Sequence, residues 1–266
     1  MHPGELFELK CYKYLKNKYT SEKVKFLHKG GMDSTESDIA VFKDKLLSFY
    51  VEAKDPIAQS GQFVLIPNNE AKTFTFSKNN RSLPNEMTNI IIKYMNNNFN
   101  KFVNAGTAGE KLNIDNSVFS NWIIKHYENK NVKYIISYNQ NFIIFPIRKF
   151  AEYFIITGNY RIKKSGSGTP AKKDIDIIKD YIKSVYSSAI FSQEGKKLFV
   201  SISTPINKNK FNNGKYTYYL SKQKSNLYEI RKLSNTHNMN VIFSIKLIKN
   251  QSSDDLMEFE KDIHFI

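Results

Sequence analysis

The sequence predicts an α/β chain of the α+β kind, in which a mixed β-sheet is flanked by helices and followed by a C-terminal extension of helices and strands. Three observations carry this. A helical apolar pattern at the start is followed at once by three strand patterns, two longer helical patterns occupy the middle, and short strand patterns fill most of the final third. The 266 residues, 41% hydrophobic and 14% aromatic, suffice for a packed core in one large domain or two modest ones.

The first element is a helix over Gly4 to Asn17. Phe7, Cys11, Tyr14 and Leu15 recur at helical spacing, and Lys10, Lys13 and Lys16 take the other faces. Glu8 departs from that pattern, because Cys11, Tyr12 and Leu15 stand three, four and seven residues after it and share its side. A carboxylate therefore faces inward. Val24 to Leu27 is a short strand closed by a Gly30-Gly31 turn. Asp38 to Phe42 is a second strand, and Asp44-Lys45 turns the chain into Leu46 to Glu52, apolar enough for a buried central strand. Asp55-Pro56 ends that strand, Gln59-Ser60-Gly61-Gln62 is expected as a turn, and Phe63 to Ile66 as a further strand.

Met87, Ile90, Ile91, Tyr94, Met95 and Phe99 predict one long helix over Pro84 to Phe102, and Asn116 to Tyr127, with the only tryptophan, Trp122, predicts another. Val132 to Tyr138 and Asn141 to Ile147 read as strands joined at Asn139-Gln140. From Arg148 to Lys173 the periodicity breaks down, and Ser165-Gly166-Ser167-Gly168-Thr169-Pro170 reads as the most flexible stretch. Asp174 to Tyr186 is a helix. The remainder, including Leu198 to Ser203, Tyr216 to Leu220 and Val241 to Ile248, reads as antiparallel strands. The change of pattern divides the chain into 1–147 and 148–266, packed together as one globular unit. No repeat suggests a solenoid.

Forty Lys and Arg against 25 Asp and Glu leave a net charge of +15. Abundant Lys, Asn and Ile reflect an A/T-rich genome, yet so large an excess still favours a polyanionic partner, nucleic acid foremost. The longest apolar runs, Asn89 to Met95 and Phe142 to Pro146, fall well short of the roughly 18 residues that span a bilayer, so no membrane segment is expected. Glu5 and Glu8 stand where a signal peptide has its basic start and apolar stretch, so the protein is expected to stay where it is made. A single cysteine, Cys11, forms neither an internal disulfide nor a thiolate metal cage and fits a reducing cytosol. His2, His28, His126, His237 and His264 show no metal-ligand spacing and read as surface or packing residues.

The acids at the ends of the second and third strands carry the chemistry. Antiparallel pairing brings Asp38, which opens one strand, close to Glu52-Ala53-Lys54, which closes its partner; alternation points Glu52 and Lys54 to one face and Ala53 to the other. Two close carboxylates repel, and a hard divalent cation such as Mg²⁺ relieves that repulsion through oxygen ligands and waters. Lys54 then positions a water, or takes its proton, for attack on a phosphate. Plainer readings remain beside this one: Glu52 and Lys54 as a solvated strand-end pair, Asp38 as a turn residue, and Glu5 or Glu8 as a helix-start acid.

Ser37-Asp38, thirteen intervening residues, then Glu52-Ala53-Lys54, preceded by a helix with inward Glu8, resembles the PD-(D/E)XK nuclease superfamily and within it most the type II restriction endonucleases. Ser37 stands where the motif's proline would be. The resemblance covers about the first quarter of the chain. It implies a PD-(D/E)XK core in 1–147, with Asp38 and Glu52 as Mg²⁺ ligands, Lys54 as the motif's lysine and Glu8 as the assisting helix carboxylate. It further implies a homodimer in the bacterial cytoplasm that cuts double-stranded DNA at a specific site, leaves 5′-phosphates and is paired with a cognate DNA methyltransferase. A structure-specific nuclease of junctions or repair, and a non-catalytic DNA-binding module on a nuclease scaffold, are the alternatives.

Residues 148–266 are the expected DNA-contacting part. Arg148, Lys149, Arg161, Lys163, Lys164, Lys172 and Lys173 share the segment from 148 to 173 with a single acid, Glu152. Arg161, Lys163, Lys164 and Ser165 are the candidate contacts, with Arg161 suited to a bidentate contact with guanine. The alternative is a solvated loop. Gln59 and Gln62 flank the active-site strand and are candidates for reaching adenine edges or orienting water at the metal.

Overall fold

The computed structural model describes residues 3–30, 37–207 and 209–264. Gly31 of the expected Gly30-Gly31 turn, and His2, lie outside them. The first part of the chain runs α1 (Pro3–Tyr19), β1 (Val24–His28), β2 (Ile39–Lys43), β3 (Leu46–Ala53), β4 (Ile57–Asn68), β5 (Thr73–Phe76), α2 (Glu86–Asn97), α3 (Phe99–Val103), β6 (Glu110–Lys111) and α4 (Asn116–Glu128). It continues through β7 (Val132–Asn139), β8 (Asn141–Pro146), α5 (Phe150–Tyr153), β9 (Phe154–Lys164), β10 (Ser167–Gly168) and α6 (Ile175–Val185). The last elements are β11 (Ile190–Glu194), β12 (Lys197–Ser201), β13 (Lys210–Asn213), β14 (Tyr216–Lys222), β15 (Leu227–Leu233), β16 (His237–Leu247) and α7 (Ser253–His264). Two compact units result, one of residues 1–161 and 239–266 and one of residues 162–238. The expected division at 147/148 does not coincide with either boundary, because the chain runs from β8 through α5 straight into β9, whose Asn159 and Tyr160 pair with β6 within the first unit.

The first unit contains a mixed sheet in the order β1-β2-β3-β7-β8, with β3 at its centre, antiparallel to β2 and parallel to β7. The β2–β3 turn is the expected Asp44-Lys45, both at positive φ (47° and 71°), as a tight two-residue hairpin requires. Only the second half of β3 is buried, since Leu46 and Leu47 at its start are exposed. Of the predicted stripe on α1, Cys11 and Leu15 are buried and Phe7 and Tyr14 partly so; with Tyr19, beyond the predicted end of the helix, Cys11 and Leu15 share a core with Val51, Ala53, Tyr134 and Ile136. Phe259 and Ile263 complete that core from α7, a helix where the sequence reading expected only strands. The signal was present: Asp254 and Asp255 lie in its first turn, and Phe259 and Ile263 are one turn apart.

The second sheet of this unit runs β5-β4-β16-β9-β6. Here the expected turn at Gln59-Ser60-Gly61-Gln62 is corrected to the interior of β4. Gln59 pairs with Ser244 and Gln62 with Ile242, so two residues, Ser60 and Gly61, oppose Phe243 alone in a β-bulge. Gly61 is at φ +117°, and a Cβ there would lie 2.7 Å from the Trp122 ring. The single long helix expected over 84–102 is corrected to α2 and α3. Asn98 leaves the helical region, and Asn96 and Asn98 turn their side chains to the Phe74 N–H and the Tyr94 carbonyl, competing with helix continuation.

The segment from 148 to 173 is also regular rather than broken. Tyr160 is fully buried in β9 and donates to the Leu65 carbonyl, and Arg148 and Lys149 are held by Glu258 and Asp255 of α7. The second unit has its own core, in which Ile178 and Ile182 of α6 pack with Leu198, Val200, Tyr218, Leu220 and Ile230 of a sheet ordered β11-β12-β15-β14-β13, with β10 against β15. The stretch 165–168, read as flexible, is hydrogen-bonded throughout. Ser165 N–H donates to Thr236 O, and Arg231 donates to both Ser167 Oγ and Ser167 O.

Candidate active site

The β2–β3 ladder runs out at Ile39↔Val51, and Asp38 and Ala53 meet just beyond it. There a side chain replaces the backbone: Asp38 Oδ2 accepts from the Ala53 N–H at 2.8 Å. The Asp38 carbonyl accepts in turn from the Lys29 and Gly30 N–H groups at 2.8 and 3.0 Å, which pins the end of β1 to the same point. On its other side Lys54 is fixed by β7, donating its N–H to Ile136 O while its carbonyl accepts from Ser137 Oγ at 2.6 Å. Ala53 enters the core with α1. Glu52 and Lys54 share the opposite face, where Lys54 Nζ and Glu52 Oε1 meet at 2.6 Å, 7% of Glu52 being exposed. Lys54 Nζ also lies 5.2 Å from the centroid of the Tyr127 ring on α4.

Glu8 points inward, as its place on α1 predicts. Its Oε2 is buried without a hydrogen-bond partner among the described residues, and it lies 3.8 Å from His28 Nε2, which is likewise buried and unpartnered. Burial raises the Glu8 carboxyl above its ordinary range, the charge of Glu52 raises it further, and His28 and Lys54 oppose. Burial pushes the Asp38 carboxyl up to about 8, with the charge of Glu52 as the next cause. For Lys54, burial alone would favour the neutral amine, but the adjacent Glu52 charge outweighs it and holds the ammonium well above its usual range.

This arrangement suits a hard divalent cation. Among the described residues no three His, Cys, Asp or Glu side chains are grouped to enclose a metal. The donors present are carboxylate oxygens: burial first and the Glu52 charge second raise the Asp38 and Glu8 carboxyls, and one of them, Glu8 Oε2, is buried without a partner among the described residues. Proteins commonly hold Mg²⁺ through one or two carboxylates, with waters and substrate phosphate completing its octahedron.

The other candidate residues are placed differently. Gln59 and Gln62 are exposed on β4 on either side of the bulge, and Gln62 Oε1 accepts from Asn240. Arg161, half-buried, lies on β9 beside the Glu110↔Tyr160 pair and ends the first unit. Lys163 and Lys164 are exposed in the second unit, and Ser165 Oγ donates to Asn238 Oδ1 while accepting from Thr236. His126 is a packing residue, stacked on Trp122 at 5.0 Å. Three residues at the cluster escaped sequence reasoning. Tyr127 reads as helix core, Gly30 as a turn, and His28 has no motif spacing; only the fold brings them to Lys54 and Glu8.

No family model and no curated protein matches the chain. A solved structure, described as HhaI endonuclease in complex with DNA, is 38% identical to it with a TM-score of 0.78, over 97% of this chain and 98% of that one.

Proposed function

Because the chain belongs to the type II restriction endonucleases, in the family of HhaI endonuclease, we propose that it hydrolyses phosphodiester bonds at a specific site in double-stranded DNA, with Asp38 and Glu52 holding Mg²⁺ and Lys54 assisting. The observation that carries the assignment is the convergence at the end of β3: the Asp38 carboxylate bonded to Ala53 N–H, with Glu52 on the strand and Lys54 just after it 2.6 Å apart.

The reaction is an in-line displacement in which a water oxygen bonds to phosphorus and the 3′ oxygen leaves, giving a 5′-phosphate and a 3′-hydroxyl. A bound divalent cation supplies Lewis-acid stabilisation of the charge that builds on the phosphate. Asp38 is fixed for its part by the Ala53 bond, and Glu52 by Lys54. Since the Glu52 charge keeps Lys54 protonated, Lys54 acts as a donor that orients the attacking water and stabilises phosphate oxygens, not as the base that takes the proton. Glu8 adds a third carboxylate whose inward side supports a helper role. Arg161, Lys163, Lys164 and Ser165 hold the duplex, with Gln59 and Gln62 as further candidate contacts, and 162–238 supplies much of the positive charge that DNA requires. Family membership supports a homodimer on a palindromic site and a cognate DNA methyltransferase that protects the host.

The test is incubation with unmethylated plasmid and Mg²⁺, with EDTA as control. Discrete fragments bearing 5′-phosphates are expected. A smear, or cutting confined to branched DNA, would overturn site-specific cleavage of duplex.

A further inference from the structure

We propose that His28 is the positioning residue for Glu8, and that Gly30 is the gap that lets the Glu8 carboxylate stand where it does. The inference rests on the reading of Glu8 as an assistant to the site and deepens it. Glu8 Oε2 and His28 Nε2 face each other at 3.8 Å, both buried and both without another hydrogen-bond partner among the described residues. Buried polar atoms are rarely left unmatched, and among the described residues these two complement each other, an acceptor and a ring nitrogen able to donate. Closing to a charge-assisted bond takes about 1 Å of side-chain movement.

The backbone around them is built for this contact. His28 ends β1 opposite Ile39, its ring rests on Tyr12 of α1 at 5.6 Å, and Lys29 and Gly30 both donate to the carbonyl of Asp38. The backbone that follows His28 is thus anchored to the residue whose carboxylate binds Ala53 N–H, while the imidazole itself rests on Tyr12, so the His28–Glu8 contact is placed beside Asp38. Gly30 matters for space, not for backbone freedom, since its φ lies outside the left-handed region. A Cβ there would stand 2.3 Å from Glu8 Oε2 and 3.1 Å from His28 Nε2, so the Glu8 carboxylate would have to shift from this position.

Three variants test the pair. His28→Phe keeps a ring against Tyr12 and removes the nitrogen, His28→Gln restores a donor, and Gly30→Ala fills the gap. Measured are the single-turnover cleavage rate with Mg²⁺, DNA affinity in EDTA and the melting temperature. His28→Phe is expected to slow cleavage roughly tenfold or more with affinity and melting unchanged, His28→Gln to recover to within about threefold, and Gly30→Ala to lose about a hundredfold. In a Glu8→Gln background, His28→Phe should add nothing further.

Parental cleavage by His28→Phe, or equal losses for Phe and Gln, would overturn the positioning role, and parental cleavage by Gly30→Ala would overturn the gap. Undiminished loss in the Glu8→Gln background would show His28 acting elsewhere. If Glu8→Gln alone cut at the parental rate, the fault would lie in the reading of Glu8, and the pair would fall with it.

Discussion

The two compact units differ in how far their positive charge is balanced by acids. Residues 162–238 contain 15 Lys and Arg against 5 Asp and Glu, so this smaller unit carries +10 of the total +15, while the larger unit carries the remaining +5. In the larger unit cations are matched to acids: Lys54 to Glu52, Lys133 to Asp262, Arg148 to Glu258, Lys149 to Asp255 and Lys249 to Glu152. In the smaller unit Arg231 is matched to Glu229, Lys232 comes within 3.9 Å of Asp174, and Lys163 and Lys164 are exposed. The contrast teaches that chemistry and affinity ask different things of charge. A site for phosphate hydrolysis gathers acids against their repulsion so that a cation is bound. A surface for a polyanion spreads cations without partners, because each neutralised phosphate releases counterions.

The strongest way to break this contrast is at the acids. Asp38→Ala and Glu52→Ala are each expected to reduce cleavage by about a thousandfold or more while DNA affinity holds or rises, since a negative charge facing phosphate is removed. Parental cleavage by either variant, in a gel assay with Mg²⁺, would remove that residue from the site.

Lys54 comes next, as the ammonium of the cluster. Lys54→Ala should lower the single-turnover rate by roughly a hundredfold with little change in affinity, as expected for an interaction made mainly in the transition state. A matching loss of affinity would instead place Lys54 among the DNA contacts and blur the division between the units.

A smaller effect sharpens the other side. Lys163→Ala and Lys164→Ala should each weaken binding to all sequences and lower the salt slope by about one unit, whereas Arg161→Ala should cost roughly 1–3 kcal/mol on the cognate site and much less on random duplex. Binding curves at several salt concentrations on both duplexes separate the two behaviours. Equal losses for all three variants would make this stretch a backbone clamp and move recognition elsewhere, with Gln59 and Gln62 the next positions to test.

The smallest effect concerns acid stability in the larger unit. Burial, with the nearby Lys130 charge, pushes His126 down to about 4 from an ordinary 6.5, so the unfolded chain gains a proton at a pH where the folded chain does not. Stability from this residue is therefore present above about pH 6.5 and lost as pH falls toward 4. His126→Phe, which retains a ring against Trp122, should flatten the fall in melting temperature over that window. An unchanged slope would assign the acid sensitivity to other groups.

Much of the site was legible because it depends on local order. Strand alternation puts Glu52 and Lys54 on one face, a hairpin turning at Asp44-Lys45 brings the end of their strand back to Asp38 with a one-residue register shift between Val41 and Phe42, and helical spacing turns Glu8 inward; all but the shift follow from residues close in sequence. The same holds for α1, β1 to β3, α4, β7, β8 and α6. What the sequence could not decide depended on contacts between distant segments. Gly61 reads as a turn residue until Trp122, sixty-one positions later, needs the space its missing side chain leaves. Arg148 and Lys149 read as free cations until α7 returns more than a hundred residues on and brings Glu258 and Asp255 to them. Gly30 and His28 acquire meaning only when β1 is laid beside α1. Periodicity records which side of an element is apolar, but not which element covers it, and that is where tertiary packing alone assigns partners to charges and purposes to glycines.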